Sequence, residues 1–230
     1  MTKKITPKKQ KKPKKVATDD DLGKLQVDAL QEIGNIAGAH VATTLSEIVG
    51  ERIMVDFSES NAISVENLPS SIGSPTEEVI TTYMKVSKDS MREDNGMIFL
   101  VFPHEKALRI AEVFQKKAPG TLTRLDENDN AALIEIGNIC ICSYLNALSK
   151  FLDATFIPTP PAIASGMLGA ILQLPASLAA QRSTYAIVIN TKFIRGKDKV
   201  YGFLMFIPDL AMRRAMLSRF GVDPEMKVRT

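Results

Sequence analysis

The sequence predicts an α+β fold built twice: an internally duplicated helix–strand unit with pseudo-twofold symmetry, long helices packed on central β-sheets. Three observations lead there. The pentapeptide EIGNI occurs at residues 32–36 and again at 135–139, 103 positions apart. Around it, DALQEIGNIAGAHVATTLSEIVG (28–50) aligns with AALIEIGNICICSYLNALSKFLD (131–153), and Leu45-Ser46 meets Leu148-Ser149 at the same offset. Further on, TTYMKV (81–86) answers STYAIVI (183–189), and GMIFLVFPHEKALRIAEVF (96–114) answers YGFLMFIPDLAMRRAMLSRF (201–220). Each half therefore reads as a long helix, a variable connector, two β-rich runs and a Pro-started helix.

Taken in order, the chain opens with a tail. Eight lysines fall within the first fifteen residues, beside Pro7 and Pro13 and almost nothing apolar. Residues 1–20 are expected to be a disordered Lys-rich tail. The rest, 21–222, is expected to form a single domain of two repeats, about 21–118 and 122–222. In the first long helix Leu30, Ile33, Ile36 and Ala37 form an apolar stripe, while Asp28, Glu32 and Asn35 share another. In the second, Leu133, Ile136 and Ile139 are the apolar stripe, and Glu135 and Asn138 lie together. Asp126, Asn128, Asp129 and Asn130 crowd its start, where such side chains cap free N–H groups. The strand runs favour Val, Ile, Tyr and Phe, with turn signals at residues 93–96 and 195–198. Pro103 and Pro208 stand where a first-turn proline is tolerated.

Composition narrows the class. Apolar residues make up 45% and charged residues 24% of the 230, the usual range for a folded domain. The net charge of +3 becomes −5 once the eight tail lysines are removed, and no basic stripe is interleaved with aromatics. A nucleic-acid module is not expected; the tail reads as a solubilising extension or a polyanion anchor. No apolar run reaches the ~20 residues of a membrane-spanning helix, and the start carries no secretory signal. A cytoplasmic protein without a transmembrane segment is expected. Cys140 and Cys142, two apart on a helix, suit neither a disulfide nor a metal pair, and His40 and His104 stand alone. No metal site is expected.

The repeated Glu and Asn need an explanation. Asn competes with the helical backbone, and the adjacent Gly34 and Gly137 lower helix propensity in both copies. A glycine there lets another backbone come close, so the stripe reads as a docking surface.

These residues resemble the CheC-type phosphatases of chemotaxis, a family that includes CheX and FliY. The shared pattern is Asp or Ser, three residues, Glu, two residues, Asn, and a Pro about twenty-two residues later. Asp28, Glu32 and Asn35 match its front; Glu135 and Asn138 match again, with Pro161 at the expected distance. The flanks GAHVATTLSEIV (38–49) and PPAIASGMLGAIL (160–172) are similar as well, and the likeness covers roughly residues 22–222. Two positions depart: Ala131 replaces the acid or serine of the second copy, and Ser58 stands at the first copy's proline position.

The resemblance implies a phosphatase acting on the aspartyl phosphate of a response regulator, phospho-CheY. Glu32, Asn35, Glu135 and Asn138 would be catalytic, with Asp28 and Pro161 in support. The chain itself would bind no cofactor, the receiver holding Mg²⁺. The family also implies a CheD partner, here through a helix over residues 162–174. The alternative is a non-catalytic receiver-binding adaptor of the flagellar switch or receptor cluster.

Overall fold

A computed structural model describes residues 24–64, 68, 72–88, 96–173 and 185–219. The Lys-rich tail expected at 1–20 lies outside the described residues. Along the chain come α1 (Lys24–Val49), β1 (Met54–Ser64), β2 (Glu78–Lys88), β3 (Gly96–Pro103), α2 (His104–Phe114) and α3 (Glu127–Leu152). They are followed by β4 (Phe156–Pro158), β5 (Ala162–Met167), β6 (Tyr185–Arg195), β7 (Asp198–Ile207) and α4 (Leu210–Arg219). Helices and an antiparallel sheet make this an α+β fold, as the sequence predicts.

The described strands form one sheet rather than several. Its order is β1–β6–β7–β3–β2, and both β4 and β5 pair with the outer edge of β2. Every described ladder is antiparallel. Side chains alternate across the strands, so each strand feeds two cores. Ile98, Leu100 and Phe102 of β3 join the helix-side core, whereas Met97, Phe99 and Val101 join the opposite one. Burial on both faces explains why GMIFLVFP is apolar throughout instead of alternating.

The helices cover one face. Leu30, Ile33, Ala37, Val41, Leu45 and Val49 of α1 are buried at helical spacing. Leu133, Ile136, Cys140, Tyr144 and Leu148 do the same for α3, and the two helices pack on each other. Both are 26 residues long. Both stop at a left-handed residue, Gly50 at φ 75° and Asp153 at φ 51°. Closing bonds run from Gly50 N–H to the Ser46 carbonyl and from Ala154 N–H to the Ser149 carbonyl. The length and mean hydropathy of α3 would also suit a membrane crossing; half of its most apolar stretch is buried against the sheet and α1, and Glu135 interrupts it.

Three local expectations are corrected. Residues 162–174 are not one helix: Ala162–Met167 is strand β5, held by pairing with β2, and helix begins only at residue 168. The ladder to Thr81, Thr82 and Tyr83 outweighs the helix-favouring Ala residues there. Pro103 is the cap before α2, not its first turn, and Pro208 precedes α4 by two residues.

Candidate active site

In α1 the letters of EIGNI divide between inside and outside. Ile33 and Gly34 are buried, while Glu32 and Asn35 are exposed, as is Asp28 one turn earlier. The glycine faces the protein's own sheet. A Cβ on Gly34 would lie 3.1 Å from the Phe57 carbonyl oxygen of β1. Its purpose is to let the helix rest on the strand, not to admit a partner's backbone, which corrects the expectation from sequence. Ile36 is corrected too. Its spacing puts it on the core stripe, yet it is 44% exposed, beside Asn35.

Gln31 fastens this helix. Its Nε2 donates to the Phe57 carbonyl at 2.8 Å, and its Oε1 accepts from the Ser60 N–H at 3.1 Å. These bonds straddle the register shift between Ser58 and Ser60 where β1 pairs with β6. A bulge leaves backbone groups unpaired, and one side-chain amide satisfies two of them. Ser58, standing where the family pattern has proline, is thus in a strand tied directly to the helix.

The second copy repeats the division with different partners. Glu135 is exposed and Gly137 is buried, but Asn138 is half-buried. A Cβ on Gly137 would fall inside the side chain of Thr82 on β2. Thr82 Oγ1 donates to the Leu133 carbonyl at 3.0 Å, so a buried hydroxyl clamps the helix one turn before Gly137. Along the outward stripe, Cys142 Sγ donates to Asn138 Oδ1 at 3.4 Å. Ile139 is partly buried against the helix-side core. Ala131 is exposed, so the second stripe has no acid at that position. Pro161 lies between β4 and β5, both of which pack against α3.

The base of α3 is electrostatically built. Asp126 accepts from the Asp129 N–H at 2.8 Å and Asp129 accepts from the Asp126 N–H at 3.1 Å, a reciprocal capping box. Lys117 Nζ reaches Asp129 at 2.9 Å. Burial alone would raise the Asp129 carboxyl, but the hydrogen bonds and charge of Lys117 and the Asp126 N–H outweigh it and hold it below the usual value. Glu112, buried in α2, behaves alike. Burial is outweighed by the N–H groups of Leu122 and Gly120 and by Arg109.

Glu32, Asn35 and Glu135 therefore stand on open helix surface. Two cavities of about 440 and 550 Å³ are lined by other residues, the first by His104, Arg124 and Asn130 among them, the second by Arg52 and Lys116. Among the described residues no group of three or more His, Cys, Asp or Glu could hold a metal ion. An amide and a carboxylate side by side can orient water and pair with a cation. The anchoring bonds of Gln31 and Thr82, the contact of Cys142 with Asn138 and the pairing of Asp129 with Lys117 do not show in the sequence pattern. Signals that do show are Gln31, polar beside the buried Leu30, and Asp129 in the acidic helix start.

A family model described as the CheC-like family matches residues 130–165, the stretch that holds Glu135, Asn138 and Pro161. The CheY-P phosphatase CheC of Bacillus subtilis (strain 168) is 23% identical over 188 residues, 80% of this chain and 88% of that protein. Over that stretch, and more weakly over most of its length, the chain is similar to CheC-like proteins. Solved structures share the fold. The Thermotoga maritima FliY structure superposes with a TM-score of 0.69 at 22% identity, covering 87% of this chain and 98% of that one. The FliM middle domain from H. pylori gives 0.60 at 13%, covering 86% and 99%.

Proposed function

We propose that this CheC-like chain hydrolyses the aspartyl phosphate of a CheY-type receiver protein. One observation carries the reading: in both EIGNI copies the glycine and first isoleucine turn inward while the glutamate faces solvent and the asparagine lies beside it. Outward Glu–Asn pairs on a convex helix suit a macromolecular substrate better than a small one, which needs a concave pocket. The relative named CheY-P phosphatase supports the choice of substrate.

In this mechanism Asn35 or Asn138 enters the receiver's site. Its amide oxygen accepts a hydrogen bond from the attacking water and its NH₂ donates to a phosphoryl oxygen. The water oxygen bonds to phosphorus as the P–O bond to the aspartate breaks. The aspartate leaves as a carboxylate with the bonding pair, the water's proton passes to solvent or phosphate, and inorganic phosphate departs. The receiver's own Mg²⁺ and lysine would neutralise the phosphoryl oxygens, which would leave positioning as this chain's main task. Glu32 and Glu135 pair with the receiver lysine, Asp28 adds to the first stripe, and Pro161 shapes the strand edge below the second.

The same proposal includes the duplication. In the sheet, the strand after each long helix pairs with the hairpin of the other half: β1 with β6, and β4 and β5 with β2. The order is palindromic about the β3–β7 ladder, as a pseudo-twofold axis there requires. Two repeats, about 21–118 and 122–222, then give two sites per chain. A CheD-type partner, if it binds here, meets the helical residues 168–173 and the edge strand β5 rather than a helix over 162–174.

Loss of ³²P label from a phosphorylated receiver with Mg²⁺, accelerated by this protein, is the test. An adaptor would bind the receiver and leave the label in place. Changing Glu32 and Glu135 together to Gln should weaken receiver binding and slow turnover, because a charge-assisted pair becomes a neutral one. Unchanged binding with only a shifted melting temperature would make the two carboxylates structural.

A further inference from the structure

We infer that Cys142 is a positioning residue for Asn138: its thiol holds the amide oxygen and fixes which way the working amide faces. The inference rests on the phosphatase reading and adds a residue to it. Cys142 follows Asn138 by four positions, which places both side chains on one stripe of α3. Sγ donates to Oδ1 at 3.4 Å, within reach for a sulfur donor. The first copy has nothing equivalent. At the same offset from Asn35 stands Ala39, exposed and without a donor.

The chemistry needs a fixed amide. Rotated by half a turn, the amide would donate to the water's oxygen, occupying the lone pair needed for attack, and would turn its own oxygen against the phosphoryl oxygens, which repel it. A thiol bound to Oδ1 occupies one of its two lone pairs and leaves the other for water. Both amide protons then remain for the phosphoryl oxygen. The thiol is kept protonated for this purpose, since burial and then the charge of Glu135 push its pKa above the ordinary range. Cys140, two residues away and fully buried, points into the core and takes no part.

The test isolates the second site by working in the Asn35→Ala protein. There Cys142→Ala should lower kcat for receiver dephosphorylation roughly three- to tenfold, the range expected for one lost hydrogen bond, with KM for the receiver unchanged. Cys142→Ser should restore most of the rate, because a hydroxyl donates to the same oxygen. In the Asn138→Ala protein, where only the first site remains, Cys142→Ala should change nothing. The side-chain ¹⁵N–¹H₂ resonances of Asn138 supply a readout independent of activity and should move in Cys142→Ala. Unmoved resonances overturn the contact whatever the receiver assay gives. Equal rate losses in both backgrounds would reduce Cys142 to a packing residue. A wild-type protein that leaves the label intact overturns the phosphatase reading itself, and the positioning role with it.

Discussion

α1 and α3 carry the same five letters and rest on the same sheet, yet each is fastened differently. On α1 the side chain of Gln31 reaches down to the strand and bridges the β1 irregularity through Phe57 and Ser60. On α3 the strand reaches up: Thr82 sends its hydroxyl to the Leu133 carbonyl. The neighbouring sheet edge is interrupted beside both helices. β1 shifts register at Ser58–Ser60, whereas β4 and β5 are separated by Thr159, Pro160 and Pro161. There Thr159 makes up the lost pairing, its N–H donating to the Lys85 carbonyl and its Oγ1 accepting from the Lys85 N–H. The asparagines differ too, Asn35 exposed and Asn138 half-buried and bonded to Cys142. What the pair of helices teaches is that an outward Glu and Asn can be kept while everything that aims them is exchanged.

The largest effect expected bears on whether both helices work. Asn35→Ala with Asn138→Ala should abolish accelerated dephosphorylation without loss of fold, since Ala is the better helix former and neither amide supports the core. Circular dichroism must stay unchanged for the result to count. Of the singles, Asn138→Ala should cost at least as much as Asn35→Ala, because its amide is already held. An Asn138→Ala protein near the wild-type rate would reverse the ranking and put the missing acid at Ala131 in charge.

Next comes the seating of the helices. Gly137→Ala would drive a methyl into Thr82, an overpacking that costs about 1–3 kcal/mol. Gly34→Ala meets the Phe57 carbonyl at 3.1 Å and the Phe57 Cβ at 3.3 Å, a milder crowding that asks β1 to give by a few tenths of an ångström. Urea denaturation should therefore find Gly137→Ala clearly the less stable. Equal midpoints would show that α3 can lift off β2 as freely as α1 can move on β1.

Gln31→Ala probes the fastener of the first half alone. It strands the Phe57 carbonyl and the Ser60 N–H, at a cost of about 1–3 kcal/mol. In the Asn138→Ala background it should also slow the remaining first site. In the Asn35→Ala background the rate should hold. A loss confined to stability would limit Gln31 to the fold.

The smallest effect separates the helix starts by pH. Asp129 and Glu112 have carboxyls held below their ordinary value. A depressed folded value means a stabilisation that is present above the ordinary carboxylate range, about 4, and lost as pH falls through the folded value. The first turn of α1 contains no acidic residue, whereas that of α3 contains Glu127 and Asp129. Hydrogen exchange at residues 127–131 should therefore quicken in acid more than at 24–28, and Lys117→Met should shrink the difference. Identical acid profiles at the two ends would remove the capping box from the account.

Some of this was legible in advance because it is local. Helical periodicity gave α1 and α3, the inward stripe from Leu30 to Ala37, and the outward Glu32, Asn35 and Glu135. The acidic and amide cluster over residues 126–130 marks a capped helix start, and Asp126 with Asp129 makes one. Ile36 lies outside the buried stripe although its spacing fits, because an apolar letter at helical spacing does not say how wide that stripe is. What the glycines face is hidden as well, because a helix's sequence does not record what lies beneath it.

By itself, then, the sequence determined the class of fold, the two long helices and the side of each that Glu and Asn occupy. Those features depend on residues a turn or so apart, where backbone geometry leaves few choices. Only the tertiary structure decided that the strands form a single sheet, that Ala162–Met167 is strand, and how the hairpins register. With Pro103 and Pro208 matched, the ladders set Thr81 opposite Val101 and Ile187 opposite Phe206. Thr81 thus answers Ile187, four residues beyond the alignment of TTYMKV with STYAIVI. It decided too that Gln31, Thr82 and Cys142 are what hold the helices and one amide in place. Strand pairing and side-chain anchoring join residues far apart in the chain, with partners chosen by burial and hydrogen-bond satisfaction across the whole core.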